Sequence, residues 1–173
     1  KSESAGKLSA IVELAKSEKG MAVPATQFDK DTHLLNCANG TLDLNTEILS
    51  PHKREDFITK SIAVNYEPTA KCPTWLRFLD DIFQHDKDLI DYVQRAIGYC
   101  LSGDTREQKF FICYGNGRNG KSTLLKHIMH VLGTSYSTGP PAETMLESND
   151  NTLHAIASLK AMRLVVLNEF DEG

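Results

Sequence analysis

Residues 115–122 read GNGRNGKS, a glycine-spaced run closed by Lys121 and Ser122 that matches G-x-x-x-x-G-K-[ST] in full. Residues of these types at this spacing suit the holding of a triphosphate. Gly115, Gly117 and Gly120 let the backbone curl until several N–H groups point inward at one anion. Lys121 can lay its ammonium across the β- and γ-phosphates, and the Ser122 hydroxyl is placed to ligate Mg²⁺. The residues between the glycines, Asn116, Arg118 and Asn119, together with Thr123 just beyond, complete the expected lining of an ATP and Mg²⁺ site.

Such a loop works only between a strand and a helix, and both are written in the flanks. Phe110, Phe111, Ile112, Cys113 and Tyr114 form the continuous apolar run expected of a strand buried on both faces. Leu124, Leu125, Ile128, Val131 and Leu132 fall on one helical face, and Gly133 stands where a C-cap belongs. The helix would turn its positive N-terminal end toward the phosphates. A second motif is expected 48 residues after Lys121, where RLVVLNE places a short apolar run before Asn168 and Glu169. Taken alone, that run is a buried parallel strand with an acid at its surface end. After a phosphate loop, the acid meets the metal and the attacking water, so Lys121 and Glu169 are the expected catalytic pair, with Ser122 and Glu169 on Mg²⁺.

The rest of the chain supplies what positions these groups. Leu8, Ile11, Val12, Leu14 and Ala15 space an amphipathic helix ended near Gly20, with a packing role. From His33 the period changes, and HLLNCA, Asn39-Gly40 and TLDL predict a hairpin with a type I′ turn at Asn39-Gly40. Residues 58–64 alternate loosely, as a further strand would, so 20–66 read as a small β-rich unit. A helix with Thr74 as N-cap carries Trp75, Leu76, Phe78, Leu79, Ile82 and Phe83. A second starts at Asp86 and stops at Gly103. The Trp75/Phe78 stripe suits core packing better than base stacking, given the apolar face it sits on. The expected organisation is a small α+β unit over 1–70, an antiparallel helical pair over 71–104, and an incomplete P-loop ATPase over 105–173.

Composition bounds the function without choosing it. Of 173 residues 40% are hydrophobic and 24% charged, which is ordinary for a globular chain with a real core. No apolar run approaches a membrane span and no secretory pattern opens the chain, so cytoplasm is the default expectation, with no membrane partner. The net charge of −4 arises within residues 1–108, the remainder being balanced. Any DNA contact must then come from a local loop or from assembly into a ring, not from a basic surface. Cys37, Cys72, Cys100 and Cys113 lack C-x-x-C spacing and are expected as free, mostly buried thiols. His127 and His130 share a helical face but lack a third ligand, so a solvated face is the better reading. A first residue of Lys1 and an abrupt stop at Gly173 suggest an excised fragment.

GNGRNGKSTLL followed by RLVVLNEFDEG resembles the superfamily 3 helicases of the phage and plasmid primase-helicase type, relatives of the poxvirus primase-helicase. LLNCANGTLDLNT, PHKREDFITKSIAVNYEP, CPTWLRFLDDIF and LIDYVQRAIGYCLSGDTREQKFF are similar to the segment which that family places before its ATPase. The resemblance runs from about residue 30 to the end. It implies an α/β fold of AAA+-like, three-layer type and a homo-hexameric ring that hydrolyses ATP to unwind DNA at a fork or origin. It also implies single-stranded DNA as a partner, a primase module nearby, and the bacterial host cytoplasm if the gene is phage- or plasmid-borne. Many P-loop ATPases have Asp where Asn168 stands, which leaves the main acidic role to Glu169. The family's sensor Asn, DNA-gripping hairpin and arginine finger would lie beyond Gly173, so 1–173 alone is expected to bind ATP weakly and not to hydrolyse it. Another P-loop ATPase, a small-molecule kinase and a non-catalytic oligomerisation module are the alternatives.

Overall fold

A computed structural model describes residues 4–141 and 156–167. The order of elements is α1 (Ala5–Ser17), β1 (Leu34–Cys37), β2 (Gly40–Asp43), β3 (Ile48–Ser50), α2 (Pro73–Ile82), α3 (Lys87–Ser102), α4 (Lys121–Tyr136), β4 (Ser137–Thr138) and β5 (Leu164–Val165). Single 3₁₀ turns lie at Ala25–Gln27 and Arg54–Asp56. The chain is a small α/β fold with few and short strands.

β1, β2 and β3 form an antiparallel meander in which Leu35 faces Leu42 and Thr41 faces Ser50. The hairpin lies where the alternation put it, but its two-residue turn is Ala38-Asn39, one position early, because Cys37 pairs with Gly40. Neither turn residue has positive φ, so the turn is not type I′. Asn39 is engaged elsewhere: its side chain donates to the Tyr66 carbonyl (3.0 Å) and accepts from the Tyr66 N–H (2.9 Å), as a neighbouring strand would. Ile62 donates to the Asn36 carbonyl (2.9 Å) and Ala38 to the Val64 carbonyl (3.0 Å). Residues 62–66 thus lie along β1 in the same direction, but a bend at Ala63-Val64 prevents a regular ladder.

One face of the meander meets α4. Leu35, Cys37 and Leu42 from the sheet, Ile62 from the docked segment, and Leu132 and Tyr136 from α4 make the core cluster, with Ile128, Leu101 and Leu164 packed against it. Leu124, Ile128, Leu132 and Tyr136 recur every four residues, which puts them along one side of the helix. Burying a side chain such as Leu132, 1% exposed, stabilises by about 1.5–3 kcal/mol. At Gly133 the backbone leaves the helical region (φ 60°, ψ −178°), as its C-cap reading anticipates, and one further turn carries Tyr136 back onto the sheet. α2 begins with Pro73 in its first turn and Cys72 as N-cap, so Thr74 lies inside the helix rather than capping it. α3 starts and stops as expected: Asp86 caps it, accepting from the Leu89 N–H at 3.0 Å, and Gly103 closes the helix in the left-handed region.

Two further expectations are corrected. The run 110–114 is not a buried strand: it has no regular secondary structure and no ladder partners, with Phe110 83% and Tyr114 89% exposed. A strand apolar on both faces is stable only where neighbours supply ladder hydrogen bonds and elements cover both faces. Among the described residues the parallel pairing is β4 with β5, which joins Ser137 to Leu164 and Thr138 to Val165 and does not reach 110–114. The described part of 105–173 accordingly has a helix and two short strands rather than three layers. The second correction concerns α1, whose Leu8, Ile11, Val12 and Leu14 are exposed and pack no core. No helix of the described residues is long and apolar enough to cross a membrane.

Candidate phosphate-binding loop

The loop 115–120 folds back on itself immediately before α4. Gly115 (φ 141°), Arg118 (φ 63°) and Gly120 (φ 87°) have positive φ, and these reversals bring the start of the loop back to its end. The Lys121 ammonium sits inside the curl, donating to the Gly115 carbonyl at 2.8 Å, the Asn119 Oδ1 at 3.1 Å and the Asn116 carbonyl at 3.4 Å. Three donors thus meet three acceptors. Asn119 is drawn so far over that a Cβ on Gly115 would lie 2.5 Å from its Nδ2. Gly120, as N-cap, offers no side chain to the first turn of α4, so the N–H groups there have no side-chain cap, and Ser122 and Thr123 are exposed.

This arrangement fits an oxyanion. Uncapped first-turn N–H groups and the positive end of α4 favour negative charge. The ammonium of Lys121 and the hydroxyls of Ser122 and Thr123 lie within the same short stretch. For a metal ion the described residues offer the Ser122 hydroxyl. The expected acid, Glu169, and its neighbour Asn168 lie outside the described residues.

The loop has a floor that sequence reasoning missed. A Cβ on Gly120 would lie 2.6 Å from Ile82 Cγ2 and 3.5 Å from Phe78 Cε2, so the last turns of α2 press directly on the loop. Trp75 of α2 stacks on Phe78 (centroids 5.5 Å apart) and on His127 of α4 (4.7 Å). The Trp75/Phe78 stripe therefore packs as expected, and His127 is exposed, as expected of a solvated face, while also stacking on Trp75 across the two helices. No local sequence signal marks either contact, since both join residues some 40 positions or more apart.

Cys72 and Cys113 are exposed, Cys37 is buried and Cys100 half-buried, so the expectation of mostly buried thiols holds for two of the four. Burial pushes the Cys37 and Cys100 thiols above their ordinary range.

Comparison with known proteins bears on the segment leading to this loop. Residues 1–84 match the family model described as D5 N terminal like. That match covers the meander and α2, the floor of the loop, and stops before the loop itself. The chain is also 32% identical over 115 residues to a protein of Acanthamoeba polyphaga mimivirus named "Putative helicase L207/L206", an alignment covering 63% of this chain and 12% of the viral protein. It is 29% identical over 112 residues to "Putative helicase 184R" of Invertebrate iridescent virus 6, covering 62% of this chain and 11% of that protein. The chain therefore spans about one-ninth of the length of these relatives, and its similarity is to proteins named as helicases.

Proposed function

We propose that this chain belongs to an ATP-dependent DNA helicase of the superfamily 3 type and contributes its phosphate-binding loop. The observation that carries the reading is the GNGRNGKS loop curled around Lys121 at the uncapped N-terminus of α4. Similarity to viral proteins named as helicases supports the choice of helicase over other nucleotide-handling chains.

In this reading the first-turn N–H groups of α4 hold the phosphates, and Lys121 turns from the Gly115, Asn116 and Asn119 oxygens toward the β- and γ-phosphates. Ser122 and Glu169 would hold Mg²⁺, which when bound would offset charge building on the phosphate oxygens. Glu169 also orients the attacking water. The stretch 105–173 is then the first part of an AAA+-like domain, with 1–70 and 71–104 as the unit and helical pair before it. Hexamer formation, an arginine finger from a neighbouring subunit, single-stranded and fork or origin DNA, and a primase module are the partners this function requires.

The test is Lys121→Ala in the complete polypeptide that carries this chain. ATP affinity, measured by calorimetry, is expected to fall by about 100-fold or more, since a charge-assisted contact with the triphosphate is lost in a site offering one lysine. Turnover stimulated by single-stranded DNA is expected to disappear. Unchanged affinity would remove the loop assignment, and turnover indifferent to DNA would remove the helicase.

A further inference from the structure

Arg163 stands immediately before β5 and is half-buried with no carboxylate in ion-pair range among the described residues. Its guanidinium is held by carbonyls instead. Nη1 donates to the Leu101 carbonyl at 2.7 Å and to the Thr32 carbonyl, and Nη2 donates to the Leu34 carbonyl at 3.0 Å. Thr32 and Leu34 belong to the start of the meander. Leu101 lies in the last turn of α3, where the helix presents its negative end. The guanidinium also lies over the Tyr136 ring, 5.4 Å from its centroid, and the Arg163 N–H donates to the Tyr136 carbonyl at 2.7 Å. Gly103 makes room for it, since a Cβ there would lie 2.9 Å from Nη1.

Tyr136 ends α4 and is tied to the same place. Its hydroxyl donates to the Lys60 carbonyl at 3.2 Å, while the Lys60 ammonium donates to the Ser135 carbonyl at 2.9 Å. A rigid fork that meets three carbonyls from two elements fixes geometry in a way a point charge does not. One node therefore holds the far end of the helix that starts with Lys121 and the start of the strand leading toward Glu169. Burial works against the charge of this guanidinium and moves it below its ordinary range, opposed by the charges of Tyr136, Asp29 and Asp31.

We propose that Arg163 is a positioning residue for ATP hydrolysis, fixing β5 against the far end of α4 and against the meander so that β5 keeps its placement relative to the loop at the other end of α4. This rests on the ATPase reading above. Because Arg163 lies at the opposite end of α4 from the phosphate loop, its loss should affect turnover and leave phosphate binding largely intact.

The test uses Arg163→Lys and Arg163→Ala in the complete polypeptide, with Lys121→Ala alongside. Arg163→Lys is expected to lower kcat about fivefold or more with Kd for ATP within about twofold, and Arg163→Ala to lower kcat further, with lysine giving partial rescue. Hydrogen exchange at the Val166 N–H, which donates to the Thr138 carbonyl at 2.9 Å, is expected to quicken about tenfold in Arg163→Ala as β5 loosens from β4. A kcat within twofold of the parent in both variants, or a Kd that rises in step with the loss of kcat, overturns the inference. Failure of the ATPase reading is distinguishable: the parent would not hydrolyse ATP, or Lys121→Ala would hydrolyse it as well as the parent. The inference then falls too as a statement about catalysis, and Val166 exchange reports only whether the node exists. If Arg163→Ala does not fold, Gly103→Ala, which crowds Nη1, takes its place in both measurements with the same criteria.

Discussion

Gly120→Ala tests the seating of the loop on α2 with magnitudes that the geometry supplies. Gly120 has φ 87°, where an L-residue costs about 1–2 kcal/mol. The new methyl would also sit 2.6 Å from Ile82 Cγ2, roughly 1 Å inside an ordinary carbon contact. Crowding of that kind costs about 1–3 kcal/mol when the surroundings can shift only partly. The two together give roughly 2–5 kcal/mol, against a total stability of about 5–15 kcal/mol for a domain. Urea denaturation of Gly120→Ala should show that loss at an unchanged m-value. Because the crowding comes from Ile82, Gly120→Ala/Ile82→Ala should be more stable than the sum of the single effects by about 1 kcal/mol. Gly117→Ala is the control: its φ is not positive and nothing lies within 4 Å of a Cβ there, so its effect should stay under about 0.5 kcal/mol. A loss below about 1 kcal/mol for Gly120→Ala, or strict additivity with Ile82→Ala, refutes the claim that α2 is the floor of the loop.

Leu132→Ala, at a site 1% exposed between α4 and the meander, should cost about 3–5 kcal/mol in the same assay. Asn39→Ala, which removes both side-chain bonds to the Tyr66 backbone, should cost about 1–2 kcal/mol and speed hydrogen exchange at the Tyr66 N–H. With a thiol reagent at neutral pH, Cys72 and Cys113 should be modified first, Cys37 and Cys100 lagging because burial both shields them and disfavours the thiolate. The same raised thiols make the unfolded chain the first to lose protons as pH rises. Stability should therefore be level below about pH 8 and fall above the ordinary thiol value of about 8.5. A melting temperature that rises between pH 8 and 10 would contradict this.

Local patterns were legible and long-range ones were not. The caps of α3 followed from Asp86 and Gly103, whose side chain and backbone freedom act within a turn of where they stand. The break at Gly133 and the curl of 115–120 were legible for the same reason, and Lys121 reaches acceptors only two to six residues away. The hairpin was found but its turn misplaced, because Asn39 is committed to Tyr66, 27 residues on, and local turn preference carries no trace of that pairing. The Arg163 contacts with Thr32 and Leu34 span 131 and 129 positions and have no pattern at all. The run 110–114 failed for a related reason: apolar continuity states that a segment can be buried in a sheet, but not which neighbours arrive to pair with it.

The two long-range ties together explain why residues 1–84 and the phosphate loop belong to one arrangement, although the D5 N terminal like match stops well before the loop. Within that span, α2 presses Ile82 and Phe78 against Gly120 at the start of α4. The meander meets Leu132 and Tyr136 near the other end, where the Tyr136 hydroxyl donates to the Lys60 carbonyl, the Lys60 ammonium donates to the Ser135 carbonyl, and Arg163 clasps the Thr32 and Leu34 carbonyls. Unbroken from Lys121 to Leu132, the helix is about 18 Å long, so contacts at one end alone would leave it free to pivot about them. Contacts at both ends remove that freedom. The orientation of the first-turn N–H groups of α4, on which any anion at the loop depends, is thus set by elements of the N-terminal segment as much as by the glycines. Perturbing Ile82 at one end or Lys60 at the other should therefore alter the loop without touching a residue of the G-x-x-x-x-G-K-S motif.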